Sequence, residues 1–173
     1  MLPKRILVLG GAASGKSQWA ENWVKSSGLA QVYIATGRIF DNELAARVAI
    51  HRARRDDAWQ EIEAPLDPGA ALGQLDPGHA ALIDCATMWL SNHLMEETDL
   101  AAAETRLIEA LRASRATWVI VSNEVGHGIV PQNALARQFR EAQGRLNIAL
   151  AAEADVVLQV IAGLPRLLKG SLP

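Results

Sequence analysis

The chain alternates between short apolar runs and longer segments in which apolar residues recur at helical spacing. Uninterrupted apolar runs bounded by turn residues predict buried strands, here at 5–9, 31–35, 80–84, 117–122 and 155–161. Helical spacing predicts helices over 16–23, 41–55, 86–95, 99–115 and 133–154, with a short helix between 69 and 75. Residues 59–63 alternate, which indicates a short strand suited to an edge, and the tail at 162–173 is expected to be partly loose.

Strands that alternate with helices and are apolar throughout are typical of an α/β protein whose parallel sheet is covered by helices on both faces. The length of 173 residues suits one domain, 1–173. Ligands of such sheets bind beyond the carboxyl ends of the strands. We therefore expect the strand exits to gather at one site, namely those at Gly10, Thr36, Asp84 and Asn123.

The segment between the first strand and the first helix fits the phosphate-binding pattern G-x-x-x-x-G-K-[ST]. Its residues are Gly10, Gly11, Ala12, Ala13, Ser14, Gly15, Lys16 and Ser17. Glycines let the backbone wrap a phosphate, and the N–H groups of the helix N-terminus point at the anion. Lys16 can reach the β- and γ-phosphates and the Ser17 hydroxyl can hold Mg²⁺. The strand before and the helix after the segment favour this P-loop over a plain glycine-rich turn.

Two further segments carry candidate chemistry. Asp84 ends an apolar strand, where a P-loop enzyme needs a carboxylate to hold Mg²⁺ with Ser17; the alternative is a cap for the next helix. In the helix at 41–55, Arg47, His51 and Arg55 share one face. The residues alone favour a solvated basic face there, whereas the functional alternative is a neutral histidine that attacks a phosphorus held by arginines.

Charge and composition narrow the classes of partner. Lysine plus arginine total 17 and aspartate plus glutamate total 19, which argues against a general nucleic-acid binder. No apolar run is close to the length of about 18 residues that a membrane span needs. The first predicted strand follows Met1 so closely that we expect no signal peptide. The single cysteine, Cys85, suits a reducing compartment, so we expect no disulfide and a cytoplasmic protein.

The motifs together resemble a known family. The P-loop at 10–17 is followed by Tyr-Ile-Ala-Thr at 33–36, by Asp-x-Glu-x-Ala-Ala-Arg at 41–47 before His51, and by Ser-Asn-Glu-Val-Gly-x-Gly-Ile-Val-Pro at 122–131. In this order they are similar to the bifunctional adenosylcobinamide kinase/adenosylcobinamide-phosphate guanylyltransferase family of cobalamin biosynthesis. The similarity runs from about 6 to 161, and the last two motifs are far more specific than the P-loop.

The resemblance implies a RecA-like P-loop fold, usually a homotrimer, with two reactions. ATP or GTP phosphorylates the hydroxyl of the aminopropanol arm of adenosylcobinamide. GTP then guanylylates a histidine, which passes GMP to adenosylcobinamide phosphate and yields adenosylcobinamide-GDP. Without the histidine chemistry, the same P-loop would suit a plain metabolite kinase or a non-catalytic nucleotide-binding subunit.

The resemblance also implies site residues. The guanylylated histidine falls on His51, and Lys16 belongs to the catalytic machinery of the P-loop. The implied nucleotide contacts beyond the P-loop are Ala35, Thr36, Gly37, Arg52, Ala53, Arg54, Arg55, Glu63 and Asp84. This chain departs from the family in having Arg54-Arg55-Asp56 where a Gly-Arg-Pro-like turn is typical, Gly37-Arg38 where a Ser-Gln-like pair is common, and Asp84 where glutamate is common.

The loop at 123–131 leaves the sheet at the expected active edge. Glu124 can orient the metal shell or a substrate hydroxyl, or it can cap the loop, and the sequence favours neither. The following helix carries Arg137, Arg140 and Arg145, for which a solvated face is the simpler interpretation.

Overall fold

The computed structural model describes residues 3–38 and 57–172. The predicted helix at 41–55, with His51 and the candidate contacts at 52–55, lies outside the described residues. The described elements, in chain order, are β1 (Arg5–Gly10), α1 (Lys16–Ser26), β2 (Ala30–Ala35), β3 (Trp59–Glu63), α2 (Pro68–Gly73), β4 (His79–Asp84), α3 (Ala86–Met95), α4 (Leu100–Ala113), β5 (Thr117–Asn123), α5 (Ala134–Glu153), β6 (Val156–Ile161) and β7 (Leu164–Lys169).

The strands form a seven-stranded sheet in the order β3-β2-β4-β5-β1-β6-β7. All neighbouring pairs are parallel except β6 and β7. The predicted, mainly parallel sheet is therefore confirmed. The predicted short strand at 59–63 is also confirmed, and it lies at an edge of the sheet as its alternating pattern suggested.

Helices cover both faces of the sheet. On one face, Trp118 and Ile120 of β5 pack in a cluster with residues of α3, α4 and α5. On the other face, Val119 and Val121 pack in a cluster with residues of α1. Successive strand residues point to opposite faces, so continuous apolar strands bury both of their faces between helices, and the three-layer α/β class is confirmed.

The expectation of a partly loose tail is wrong. The tail forms β7, which pairs antiparallel with β6 through a tight turn at Ala162 and Gly163. Both turn residues have positive φ, 51° and 78°, which matches the twist of a two-residue hairpin. Every residue of β7 is exposed, so the strand lacks the buried, alternating pattern by which strands are recognised in a sequence.

Side-chain caps begin the helices that the sequence predicted. The Asp99 carboxylate accepts a hydrogen bond from the Ala102 N–H at 3.0 Å, and the Asn133 side chain accepts one from Ala136 at 3.1 Å. Such caps satisfy N–H groups that have no partner within the helix. Within the two described ranges, no helix combines the length and apolarity needed to cross a bilayer.

Trp118 ties the end of α4 to the centre of the sheet. Its side chain is fully buried, and its indole N–H donates to the Leu111 carbonyl at 3.0 Å. Leu111 lies in the last turn of α4, where the backbone carbonyl groups find no N–H donor within the helix. The indole therefore fills a hydrogen-bonding position that the helix itself leaves empty.

We expect Trp118→Phe to lower the free energy of unfolding by about 1–3 kcal/mol, because the buried Leu111 carbonyl loses its donor. Urea unfolding followed by circular dichroism measures this loss. Trp19→Phe is the matched control, since Trp19 is only half-buried and its indole has no hydrogen-bond partner among the described residues. Equal losses in the two variants would contradict the role given to this hydrogen bond.

Candidate active site

The strand ends that the sequence expected to gather are neighbours in the sheet. The carboxyl ends of β1, β5, β4 and β2 follow one another along one edge. Gly10 is in register with Asn123, and Asp84 is in register with both Val121 and Ala35. The next strand, β3, brings Glu63 beside Ala35 at the same edge.

The P-loop leaves this edge at the end of β1 and turns directly into α1. The Ser14 N–H donates to the Gly11 carbonyl at 3.4 Å, and Gly15, with φ at 92°, is the residue before the first turn of α1. No side chain caps that helix start, and its first turn holds no acidic residue. The free N–H groups and the positive end of the helix dipole thus face the loop, which is the arrangement that binds phosphate.

Close packing holds the P-loop in place and explains two of its glycines, Gly10 and Gly15. A Cβ at Gly10 would lie 2.3 Å from the Ser14 Oγ and 2.9 Å from the Val160 carbonyl. A Cβ at Gly15 would lie 3.1 Å from the Cα of Gly163, the second residue of the β6–β7 turn. The Gly163 N–H donates to the Ser14 carbonyl at 2.8 Å. The C-terminal hairpin therefore supports the P-loop, which sequence patterns did not reveal.

Lys16 folds back across the loop. Its Nζ donates to the Gly11 carbonyl at 2.9 Å. Burial lowers the pKa of Lys16, while the nearby Asp84 carboxylate opposes that change. The ammonium group thus lies inside the loop and within electrostatic reach of the Asp84 carboxylate, where a polyphosphate would also meet it.

The predicted metal pair, Ser17 and Asp84, has suitable oxygen donors. Among the described residues, neither the Ser17 hydroxyl nor the Asp84 carboxylate has a hydrogen-bond partner. The cap of α3 is Cys85, whose Sγ accepts from the Met88 N–H at 3.4 Å, so Asp84 is not the capping residue. Residues 3–38 and 57–172 hold no cluster of three or more metal-ligating side chains, and Mg²⁺ commonly uses one or two protein oxygens plus substrate phosphates. The residues present therefore fit Mg²⁺.

A buried connection joins the ends of β2 and β4. The Thr36 hydroxyl donates to the Cys85 carbonyl and accepts from the Cys85 N–H, both at 2.7 Å. The Asn92 side chain donates to the Thr36 carbonyl at 2.8 Å. The Thr36 side chain therefore fixes the strand ends, while Gly37 beside it is exposed. The nucleotide contacts predicted for both residues stay predictions.

The lone cysteine is not a nucleophile at neutral pH. Burial, with a smaller effect of the Asp84 charge, raises the pKa of Cys85 to about 12. Since the thiolate is the reactive form, the thiol stays protonated and serves as the cap of α3.

A polar network fixes the end of β5. The Ser122 hydroxyl donates to the Asn147 Oδ1 at 2.6 Å, and the Gln143 Nε2 donates to both of these residues. The Asn147 Nδ2 donates to the Asn123 carbonyl at 3.1 Å, and the Asn123 N–H donates to the Thr87 hydroxyl at 2.8 Å. Ser122, Gln143 and Asn147 are all buried, so this strand end is held rigidly by α3 and α5.

The loop after β5 starts against the P-loop. The Glu124 N–H donates to the Gly10 carbonyl at 3.0 Å, while its carboxylate accepts from the Gly126 N–H at 2.7 Å. This geometry supports the capping interpretation of Glu124. Arg140 donates to the Gly126 carbonyl, and Arg137 donates to the Pro131 carbonyl at 2.9 Å. These two arginines therefore anchor the loop through hydrogen bonds to its carbonyl groups, whereas the sequence predicted only a solvated face.

Comparison with known proteins identifies the family. The family model of cobinamide kinase / cobinamide phosphate guanyltransferase matches residues 6–168. The bifunctional adenosylcobalamin biosynthesis protein CobP of Pseudomonas aeruginosa is 41% identical over 169 residues, covering 96% of this chain and 98% of that protein. The bifunctional adenosylcobalamin biosynthesis protein CobU of Escherichia coli is 38% identical over 175 residues, covering 92% of this chain and 96% of that protein.

Solved structures share the fold at low sequence identity. The RadB recombinase has a TM-score of 0.54 at 16% identity, with 91% of this chain and 74% of that chain covered. The flagellar accessory protein FlaH of Methanocaldococcus jannaschii has a TM-score of 0.52 at 11% identity, with 99% and 84% covered. The P-loop fold is thus confirmed by structure, and the sequence match over nearly the whole chain places this protein in the cobinamide kinase / cobinamide phosphate guanyltransferase family.

Proposed function

We propose that one nucleotide site in this chain serves two successive transfers in cobalamin biosynthesis. In the first, ATP or GTP phosphorylates the aminopropanol hydroxyl of adenosylcobinamide. In the second, GTP gives GMP through His51 to adenosylcobinamide phosphate, which yields adenosylcobinamide-GDP and pyrophosphate. The observation that carries the proposal is the P-loop at the same sheet edge as Asp84, with one strand between them, in a chain that matches the family over residues 6–168.

The P-loop supplies what both reactions share. The uncapped start of α1 offers backbone N–H donors, and Lys16 adds a positive charge within the loop. In phosphoryl transfer the protein contributes mainly positioning and electrostatic stabilisation. Ser17 and Asp84 would hold Mg²⁺, which neutralises phosphate charge when bound.

Guanylyl transfer requires a different attacking group on the same polyphosphate. In the proposal the His51 imidazole attacks the α-phosphorus of GTP, so that a P–N bond forms and pyrophosphate leaves. A phosphate oxygen of adenosylcobinamide phosphate then attacks that phosphorus and releases the histidine. A covalent intermediate divides one difficult step into two easier ones, and pyrophosphate departs before the large corrinoid phosphate must reach the α-phosphorus.

The proposal extends to assembly and compartment. A homotrimer follows from the family resemblance, and the exposed apolar side chains Ile129, Val130 and Leu135 beside the active edge offer surface for subunit or substrate contacts. The cytoplasmic location expected from the cysteine content stays a prediction.

The histidine intermediate is tested with GTP labelled at the α-phosphate. We expect an acid-labile, alkali-stable label on the wild-type chain, and its loss in His51→Ala. His127→Ala is the control and should keep the label, because its side chain is 81% exposed in the loop after β5. A chain that binds GTP without becoming labelled, or a label that persists in His51→Ala, would refute the guanylyl-transfer mechanism.

The shared site is tested with Lys16→Ala. Removing the ammonium group should slow both phosphorylation and guanylylation by about a hundredfold, the usual effect of losing one electrostatic contact to a reacting oxyanion. Lys4→Ala, at an exposed position before β1, is the charge-matched control and should leave both rates unchanged. Normal kinetics of either reaction in Lys16→Ala would show that the two reactions use separate nucleotide sites.

A further inference from the structure

We propose that the side-chain amide of Asn123 is a further catalytic group, which donates a hydrogen bond to the γ-phosphoryl group during the kinase reaction. This inference rests on the proposed function, and it adds a residue to which neither the P-loop pattern nor the family resemblance assigned a role.

The strand order places Asn123 between the two halves of the candidate site. β5 lies between β1, which carries the P-loop, and β4, which carries Asp84. Asn123 is in register with Gly10, and Asp84 is in register with Val121, two residues earlier on β5. A side chain at the end of β5 therefore lies between the phosphate-binding loop and the candidate metal-binding carboxylate.

The alternation of β5 puts this side chain on the correct face. Val119 and Val121 pack on the α1 side of the sheet, whereas Ser122 bonds to α5 on the opposite side. Asn123 therefore shares the α1 side with Val121. Leu82 of β4 packs in the same α1-side cluster, so Asp84, two residues later, lies on that side as well.

The backbone of Asn123 is fixed while its side chain is available. The N–H donates to Thr87 and the carbonyl accepts from Asn147, with Ser122 and Gln143 buried behind them. Among the described residues the carboxamide of Asn123 has no hydrogen-bond partner, and the residue is half-buried at the site edge. The hydrogen bonds from Thr87 and Asn147 therefore hold the backbone of Asn123 in one position at the end of β5.

The chemistry suits a neutral, directional donor. The hydroxyl oxygen of the acceptor forms a bond to the γ-phosphorus, and the bond from that phosphorus to the bridging oxygen breaks. The electron pair leaves with the nucleoside diphosphate, and the hydroxyl proton passes to water. Negative charge spreads over the equatorial oxygens of the transferred group in this step, and an amide N–H fixed nearby stabilises and orients it.

The α-phosphorus reacts in guanylylation, two phosphates away from the group that Asn123 would contact. The inference therefore predicts a selective effect. Asn123→Ala should lower kcat for phosphorylation of adenosylcobinamide by about a hundredfold with little change in the KM for nucleotide. Guanylylation by α-labelled GTP should fall only severalfold, since the γ-phosphate then contributes to binding alone.

Two more variants of Asn123 and one control variant sharpen the test. Asn123→Ser keeps a short donor and should recover part of the kinase rate, whereas Asn123→Asp places a negative charge against the phosphate and should be slower than Asn123→Ala. Gln132→Ala removes a side-chain amide from an exposed position of the same loop and should match the wild-type chain. Urea unfolding and the affinity for a non-hydrolysable GTP analogue are measured for every variant.

A kinase rate of Asn123→Ala within threefold of wild type would overturn the inference. It would also be overturned if phosphorylation, guanylylation, GTP affinity and stability all fell in parallel, because that pattern indicates a purely structural residue. A wild-type chain that binds GTP but phosphorylates no adenosylcobinamide would instead refute the proposed kinase function, and the role of Asn123 with it.

Discussion

The parallel pairing of β1 with β5 and β6 is the interaction on which the site depends. It brings the start of the P-loop against Asn123 on one side and Val160 on the other. Because β5 separates β1 from β4, the loop and Asp84 stand two strand spacings apart, roughly 10 Å. A polyphosphate with its metal ion spans such a distance, so the order of three strands sets the dimensions of the site before any side chain contributes.

The same pairing fixes the P-loop at its flanks and leaves the backbone N–H groups at the start of α1 without a side-chain cap. Ala13 and Gly15 adopt positive φ, which is unfavourable for an alanine, and the surrounding backbone compensates. The Gly163 N–H bonds to Ser14 and the Glu124 N–H bonds to Gly10, so hydrogen bonds fix both flanks of the loop. The first N–H groups of α1 remain uncapped, and the rigid frame keeps these donors directed at an anion.

The sequence predicted those features that depend on interactions between residues close together in the chain. The P-loop, the cap at Asp99 and the bounds of α3 were readable because spacing and side-chain chemistry act over a few residues. The order of the strands could not be predicted from the sequence, because the apolar strands of a parallel sheet show no pattern that specifies which strands pair. The place of Asn123 beside Gly10 and the support of the loop by Gly163 follow from that order, so they emerged only with the structure. Strand β7 was missed for another reason, because all of its residues are exposed.

Two adjacent residues at the end of β5, Asn123 and Glu124, have different roles because their side chains point in different directions. Glu124 turns its carboxylate to the Gly126 N–H of its own loop. Asn123, one residue earlier, keeps a neutral amide at the site. A carboxylate beside a polyphosphate would repel it, whereas an amide can donate to it without changing the charge balance between Lys16 and Asp84. In the proposed mechanism one polyphosphate site serves two reactions, because His51 acts at the α-phosphorus and Asn123 acts at the γ-phosphoryl group.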